Sequence, residues 1–397
     1  MHKNAELTLL VSLFRSYHGW MGGINYVTNF IKTIDYLPEQ KKPSIYVFND
    51  TPGEWPSSVE EACSLDVVKA VIGPQGAIIR ASGDEAGRFL LHVPAAERRR
   101  AIARSVTAIV PMPMGETPMV TTPRHWAWIP DFQHRRLPAL FNDAEKQYRD
   151  DICRVLADRD GPLILSSRNA LFDFQEFFPS HRARPYVWPF VSTISTGESA
   201  PVRAVIEKYK LPSSFLYIPN QFWVHKDHQT AFNAVRLLKE RGFPVDLVCT
   251  GSTKDYRHDG YFETLFGIVK EQGLESCIRH LGVIPQDEQI ALLRACTAVI
   301  QPSLFEGWST VVEDARAVGC PLIVSDFAVH REQLGAQGHF FRAGDPEDLA
   351  GVIARALPNL PPRRGVEAER AACEASLIRR RACAETFLND LVRESRL

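Results

Sequence analysis

The sequence predicts an α/β protein made of two doubly wound, Rossmann-like domains. Three observations lead there. Short apolar strands alternate with segments whose apolar residues recur at helical spacing, which is the signature of βαβ units and a parallel sheet. The chain has 397 residues, enough for two or three domains at about 150 residues each. The alternation pauses in a Ser-, Thr- and Gly-rich stretch at 192–200 and then restarts.

In the first half, a strand at 7–14 leads into a loop through 15–23 that ends Trp20-Met21-Gly22-Gly23. A helix follows, with Ile24, Val27, Phe30, Ile31 and Ile34 on one face. Further strands are expected at 44–48, 77–80, 108–111 and 163–166. The Pro- and Trp-rich stretch 123–138 interrupts the pattern; long irregular segments of compact domains are often functional. In the second half, strands at 215–218, 245–250, 278–281, 298–301 and 321–324 alternate with helices near 229–241, 261–272, 287–295 and 309–318. After 345–357, a Pro-rich break at 358–362 precedes two Arg- and Ala-rich helices. The last carries the stripe Phe387, Leu388, Leu391 and Val392, expected to pack back on the N-terminal domain. The predicted domains are therefore 1–195 and 196–375, with a returning helix at 376–397. Two such domains facing a cleft place ligands at the carboxyl ends of their strands.

Composition narrows the function classes. A net charge of −1 lacks the concentrated positive footprint of a nucleic-acid binder. The cluster Arg98, Arg99, Arg100 and Arg104 reads first as a solvated helix face and second as a patch for anionic lipid. Eight scattered cysteines with no C-x2-C pair give no zinc signature and fit a reducing cytosol. The expected location is cytoplasmic, with the inner face of the membrane as the further option. No stretch approaches the ~20 apolar residues of a spanning helix. There is no G-x-G-x-x-G and no Walker motif, so a dinucleotide or ATP site lacks support.

The densest chemistry lies in residues 301–334, QPSLFEGWSTVVEDARAVGCPLIVSDFAVHREQL. Glu306 and Gly307 precede a helix with Ser309 and Thr310 in its first turn and Glu313 and Asp314 beyond. A strand end, a Gly turn and a helix N-terminus make an anion pocket, because unpaired amides and the helix dipole favour negative charge. Upstream, Ile218-Pro219-Asn220-Gln221-Phe222-Trp223-Val224-His225-Lys226-Asp227-His228 opens the second domain. Lys226 stands before a helix N-terminus, where a cation is electrostatically disfavoured, and that placement favours a phosphate role. His225 and His228 have metal-pair spacing but no third ligand, so solvated histidines are the favoured reading. Gly251-Ser252 and Gly282-Val283 sit at strand ends, where plain turn chemistry also suits them. Asp158-Arg159-Asp160 spells a D-x-D metal signature but reads as a helix-ending turn before Gly161-Pro162. His134, in Asp131-Phe132-Gln133-His134, reads on its own as a satisfied, partly buried histidine.

In this order and spacing, these segments resemble the retaining glycosyltransferases of family 4, of the bacterial polysaccharide type, which have the GT-B fold. The E-x7-E signature of that family falls on Glu306 and Asp314, with Asp in place of the second Glu and Glu313 one position early. Ala315 and Gly319 match the small residues that follow. Gly22-Gly23 is similar to the family's glycine loop, 131–134 to its D-F-Q-H stretch, and 344–349 to its D-P-x-x-L helix start. Lys226 fits the family's phosphate Lys, while Gln221 stands where the family has Arg.

The resemblance implies transfer of a hexose, with retention, from GDP-mannose or a UDP-sugar to a hydroxyl of a glycan or lipid-linked glycan. It implies neither metal nor cofactor. Glu306 would hold distal sugar hydroxyls with the amides of Gly307, Trp308 and Ser309, beside Thr310; Asp314 or Glu313 would take the ribose. Lys226 would stabilise the leaving diphosphate and His134 the developing positive charge. Gly22, Gly23, Gln221, Gly251, Ser252 and Val283 would line the rest of the donor. No residue reads as nucleophile or base; the leaving phosphate would accept the proton. Two alternatives stay open: a GT-B sugar-nucleotide epimerase, and a non-catalytic nucleotide-sugar-binding subunit. Oligomeric state is not legible.

Overall fold

The computed structural model describes residues 7–13, 21–49, 55–81, 92–112, 125–194, 199–360 and 365–395. Among these, the strands form two sheets. The first contains β1 (Thr8–Leu13), β2 (Ser44–Asn49), β3 (Val68–Ile72), β4 (Ile78–Ala81), β5 (Ala108–Met112), β6 (His125–Ile129), β7 (Pro162–Leu165) and β8 (Arg184–Val187). Their order is β4-β3-β2-β1-β5-β6-β7-β8, parallel except for the β3–β4 pair. The second contains β9 (Leu216–Pro219), β10 (Leu247–Thr250), β11 (Ile278–His280), β12 (Ala298–Gln301), β13 (Leu322–Ser325) and β14 (His339–Phe341). It is wholly parallel, in the order β11-β10-β9-β12-β13-β14. That is the doubly wound order, in which the winding reverses between the first and fourth strands.

Contacts group the chain into two units. One comprises Met1–Phe132, Gln147–Thr193 and Ile378–Leu397; the other comprises Gln133–Lys146 and Ile194–Leu377. In the second unit the sheet is covered on both faces. Tyr217, Val248 and Val299 pack to one side with Leu292, Val312 and Ala315. Leu216, Ile218, Cys249 and Ile300 pack to the other with Ala231, Val235, Leu349 and Ile353. This two-sided burial is why its strands read as continuous apolar runs rather than alternating ones.

Several elements depart from expectation. The interrupting stretch 123–138 contains β6, whose sequence HWAWI is buried throughout. Prolines and aromatics disguised a central strand. Trp128 satisfies its one polar atom by donating to Ser166 Oγ at 3.0 Å, and Tyr26 stacks on its ring at 3.9 Å. The strands β3, β8 and β14 were not anticipated, and β4 is an antiparallel edge rather than another βαβ strand. Gly22 and Gly23 are not in a loop: they lie in the first turn of the helix Met21–Asp35. The rest of that predicted loop, 15–20, lies outside the described residues, as do 195–198 of the boundary stretch, 361–362 of the Pro-rich break and the Arg99 side chain.

The two expected C-terminal helices are one, Val366–Glu394. It contains no Gly or Pro and is rich in Ala, Arg, Glu and Leu, so nothing in its composition ends it midway. Its early residues pack in the second unit, where Cys373 Sγ donates to the Ala317 carbonyl at 3.2 Å. Its later residues pack in the first, where Phe387 meets Phe30 edge-on at 5.0 Å and Trp126 at 5.3 Å. Burying an aromatic of this size contributes roughly 1.5–3 kcal/mol. Glu394 accepts from Arg184 at 2.8 Å and from the Tyr186 hydroxyl at 2.6 Å, pinning the helix end to β8. No helix among the described residues is long and apolar enough to cross a membrane.

Candidate functional site

In the second unit, β9 and β12 are adjacent strands whose following segments diverge, which is where doubly wound sheets bind ligands. After β9 the chain makes a 3-10 turn, Val224–Lys226, and then enters the helix His228–Glu240. Asp227 joins the two. It adopts a left-handed conformation, φ +50°, which Asp tolerates better than most residues, and its carboxylate caps the helix by accepting from Thr230 N at 3.2 Å. Burial raises the Asp227 pKa to about 6, against the lowering effect of its bonds from Thr230.

The turn carries Lys226 toward the segment after β12. Lys226 Nζ lies 2.6 Å from Glu306 Oε1, and the two segments are also tied by Leu304 N donating to the His225 carbonyl at 2.8 Å. Two residues 80 positions apart therefore form one ion pair, with side chains 16% and 9% exposed. A carboxylate so buried must be hydrogen-bonded. Glu306 Oε1 also accepts from Ser303 Oγ at 2.7 Å and Gln301 Nε2 at 2.8 Å. Gln301 Oε1 in turn accepts from Asn220 Nδ2 at 2.8 Å, closing the junction between the ends of β9 and β12.

The second half of the predicted signature divides into unlike roles. The helix Thr310–Ala317 is capped by Ser309, whose hydroxyl accepts from Val312 N at 3.4 Å. The expectation that the Ser309 amide faces a ligand is corrected: it donates to Gln333 Oε1 at 3.3 Å. Glu313 is 1% exposed and accepts from Arg316 at 2.7 Å and Gln333 Nε2 at 3.1 Å, so its carboxylate is committed inside the unit. Asp314, like Gly307, Trp308 and Thr310, is only partly buried. Of the two acids, Glu313 is therefore the buried one and Asp314 the partly exposed one.

Gly251 has φ +129°, and a Cβ there would lie 2.2 Å from the Asn220 carbonyl oxygen, so only glycine permits β10 to end this close to the 220–222 turn. Phe222 N donates to the Ser252 carbonyl at 2.9 Å, and Gly251 N to the Gly282 carbonyl at 2.9 Å. Gln221, Gly251, Ser252 and the exposed Val283 thus follow the carboxyl ends of β9, β10 and β11. Asp158 closes the helix Asp143–Asp158 and Asp160 pairs with Arg184, so the D-x-D run is a structural turn. No group of three metal-ligating side chains exists among the described residues.

The histidines are not solvated. His225 is buried, and burial together with Lys226 and Arg257 lowers its pKa well below the usual histidine value. His228 is wholly buried, stacks on Phe222 at 4.0 Å, and is lowered to about 3 by burial. His134 is 1% exposed and lies edge-on to Phe141. Its segment, Gln133–Lys146, groups with the second unit, where Arg257 contacts Gln133 Oε1 at 3.3 Å and His225 Nδ1 at 3.4 Å.

Arg257, Gln301, Ser303, Asn220, Gln333 and His330 escaped the sequence reading. His330 is buried, its Nδ1 2.8 Å from the Ser325 carbonyl, and burial lowers its pKa to about 4, with Glu306 and Lys226 in range of its charge. A polar residue ending an apolar strand, as Gln301 ends Ala298–Ile300, was the available signal.

Residues 202–370 match the family model described as "Glycosyl transferases group 1". The chain is 28% identical over 98 residues to the O-antigen chain mannosyltransferase B of Escherichia coli, covering 25% of each. It is 24% identical over 161 residues to the Escherichia coli serotype-specific mannosyltransferase WbdA, covering 39% of this chain and 19% of that one. The chain therefore spans a quarter or less of the length of these curated relatives. Among solved structures, a glycosyltransferase from Rickettsia africae has a TM-score of 0.64 at 14% identity, covering 98% of this chain and 99% of that one. Anabaena HepE in complex with UDP-glucose has a TM-score of 0.60 at 15% identity, covering 98% of each. The fold is that of GT-B glycosyltransferases, two Rossmann-like α/β domains.

Proposed function

We propose that the chain is a retaining, metal-independent glycosyltransferase that moves a hexose from a nucleoside-diphosphate sugar to a hydroxyl of a glycan or lipid-linked glycan. The observation that carries this reading is the Lys226–Glu306 pair at the β9/β12 junction, beside the N-terminus of Thr310–Ala317. The family match over 202–370 and the mannosyltransferase relatives support it, and make mannose the first sugar to test.

Glu306 presents its carboxylate to hydroxyls of the donor sugar. Lys226 has ammonium protons beyond the one given to Glu306, and it uses them to stabilise charge gathering on the departing diphosphate. Asp314 takes the ribose hydroxyls. Gln221 offers an uncharged amide where the resemblance calls for a cation, so Lys226 carries more of the phosphate charge. No side chain is assigned as nucleophile; the leaving phosphate accepts the acceptor's proton, and His134 steadies positive charge on the sugar. The proposed site of action is cytoplasmic.

The test is to incubate the protein with GDP-mannose or UDP-glucose, with and without a lipid-linked glycan acceptor and EDTA. The expected result is acceptor-dependent transfer with the donor's anomeric configuration kept, unaffected by EDTA. An isomerised donor without acceptor would indicate an epimerase; tight binding with no turnover, a binding subunit; and reversible loss in EDTA would end the metal-free reading.

A further inference from the structure

Three donors converge on one oxygen of Glu306. Lys226 Nζ, Ser303 Oγ and Gln301 Nε2 lie 2.6, 2.7 and 2.8 Å from Oε1. A carboxylate oxygen offers about two lone-pair sites, so Oε1 has no capacity left for a ligand. Among the described residues none donates to Oε2.

Gln301 organises this asymmetry. It is the last residue of β12 and is fully buried. Its carbonyl oxygen accepts from Asn220 Nδ2 at 2.8 Å, which turns the amide so that its NH2 group faces Glu306. That NH2 group also reaches Ser303 Oγ at 3.1 Å, and the Ser303 hydroxyl donates onward to Glu306. Ser303 itself is fully buried, and its carbonyl accepts from Ser325 Oγ at 2.5 Å, which ties the post-β12 segment to the end of β13. If the glutamine merely satisfied a buried carboxylate, donors would have no reason to load one oxygen and leave the other open.

We infer that Gln301, assisted by Ser303, is a positioning residue that fixes the Glu306 carboxylate with Oε2 as the acceptor for donor-sugar hydroxyls. This rests on the nucleotide-sugar reading above. Its consequence is selective. Loss of the clamp lets the carboxylate rotate toward Lys226 and weakens sugar recognition, while the nucleotide end of the donor is held by other residues.

The experiment is calorimetric titration of the parent chain, Gln301→Leu, Gln301→Glu and Ser303→Ala. The ligands are GDP-mannose and UDP-glucose, each against free GDP and UDP. Gln301→Leu is expected to weaken the sugar nucleotide by at least ~10-fold while free nucleotide changes by less than ~2-fold, the scale of one charge-assisted hydrogen bond. Gln301→Glu sets a second carboxyl against Glu306, so the pair shares a proton. Sugar-nucleotide affinity then acquires an ionisation absent from the parent, strong at low pH and weak above it. Should Gln301→Leu not fold, Ser303→Ala and the size-matched Gln301→Glu carry the same comparison. Equal losses for sugar nucleotide and free nucleotide, or no new ionisation in Gln301→Glu, overturn the inference. If the parent binds sugar nucleotide and the variants bind it alike, only this inference falls; if the parent binds none, the proposed function falls with it.

Discussion

Replacing Lys226 by Met tests the centre of the site, because it removes a charge and keeps most of the volume. In the parent, Lys226 and Glu306 are 2.6 Å apart with side chains 16% and 9% exposed. Breaking a fully buried ion pair by deleting one partner costs about 3–5 kcal/mol, since a charge is stranded. Here Gln301 and Ser303 still donate to Glu306 Oε1, which reduces the expected loss to about 2–3 kcal/mol. At roughly 2–4 °C per kcal/mol for a domain of this size, the melting midpoint should fall by about 4–12 °C. Glu306→Gln should also destabilise, by leaving the ammonium unpaired. The double variant leaves no stranded charge, so its loss should be smaller than the sum of the single losses by about 1–3 kcal/mol. Turnover should drop at least ~100-fold in Lys226→Met and stay low in the double variant, because removing the stranded charge does not restore the diphosphate's cation. The assay is urea unfolding of the four proteins alongside initial rates of sugar transfer. Losses that add within ~0.5 kcal/mol would refute the coupled pair, and unchanged turnover would remove the phosphate role.

Two further outcomes are expected. Acid should unfold the second unit early: His225, His228 and His330 are held neutral, the latter two with pKa values of about 3 and 4, whereas unfolded histidines protonate near 6.5. Asp227, raised to about 6, works the other way, because its folded form binds a proton before the unfolded one does. The three histidines outnumber the one aspartate, so between pH ~6 and ~4 the unfolded state binds more protons than the folded one and stability falls on acidification; a melting midpoint flat from pH 7 to 5 would contradict this. The two adjacent acids should separate: Glu313→Ala lowers the melting midpoint by stranding Arg316 and Gln333, while Asp314→Ala, at a partly exposed position, lowers it less and raises KM for the sugar nucleotide. A thermostable Glu313→Ala with impaired donor use would reverse those assignments.

Much of the second unit was legible because its strands are buried on both faces and three of its helices start at side-chain caps, Asp227, Ser309 and Asp345. Ala298–Gln301 was placed at its observed ends, and Asp345 caps Pro346–Ala356 where the chain suggested a helix start. The first unit was less legible for a physical reason. The strand His125–Ile129 owes its burial to neighbours such as Tyr26 and Ser166, and no local pattern of its five residues reports them. Gly22 and Gly23 suggested a loop through conformational freedom that the helix Met21–Asp35 does not use.

By itself the sequence determined the βαβ alternation, the pause near 192–200 and the residue types of the site, because periodicity and charge are local properties of a chain. Tertiary structure decided which of those residues meet. Parallel pairing of β9 with β12 brings Lys226 to Glu306 and Asn220 to Gln301, across separations of 80 and 81 residues. The same packing buried Glu313 while leaving Asp314 partly open, although the two are neighbours on one helix. Sequence spacing cannot express that difference, because burial depends on what the facing elements, here Gln333 and Arg316, bring to each side of the helix.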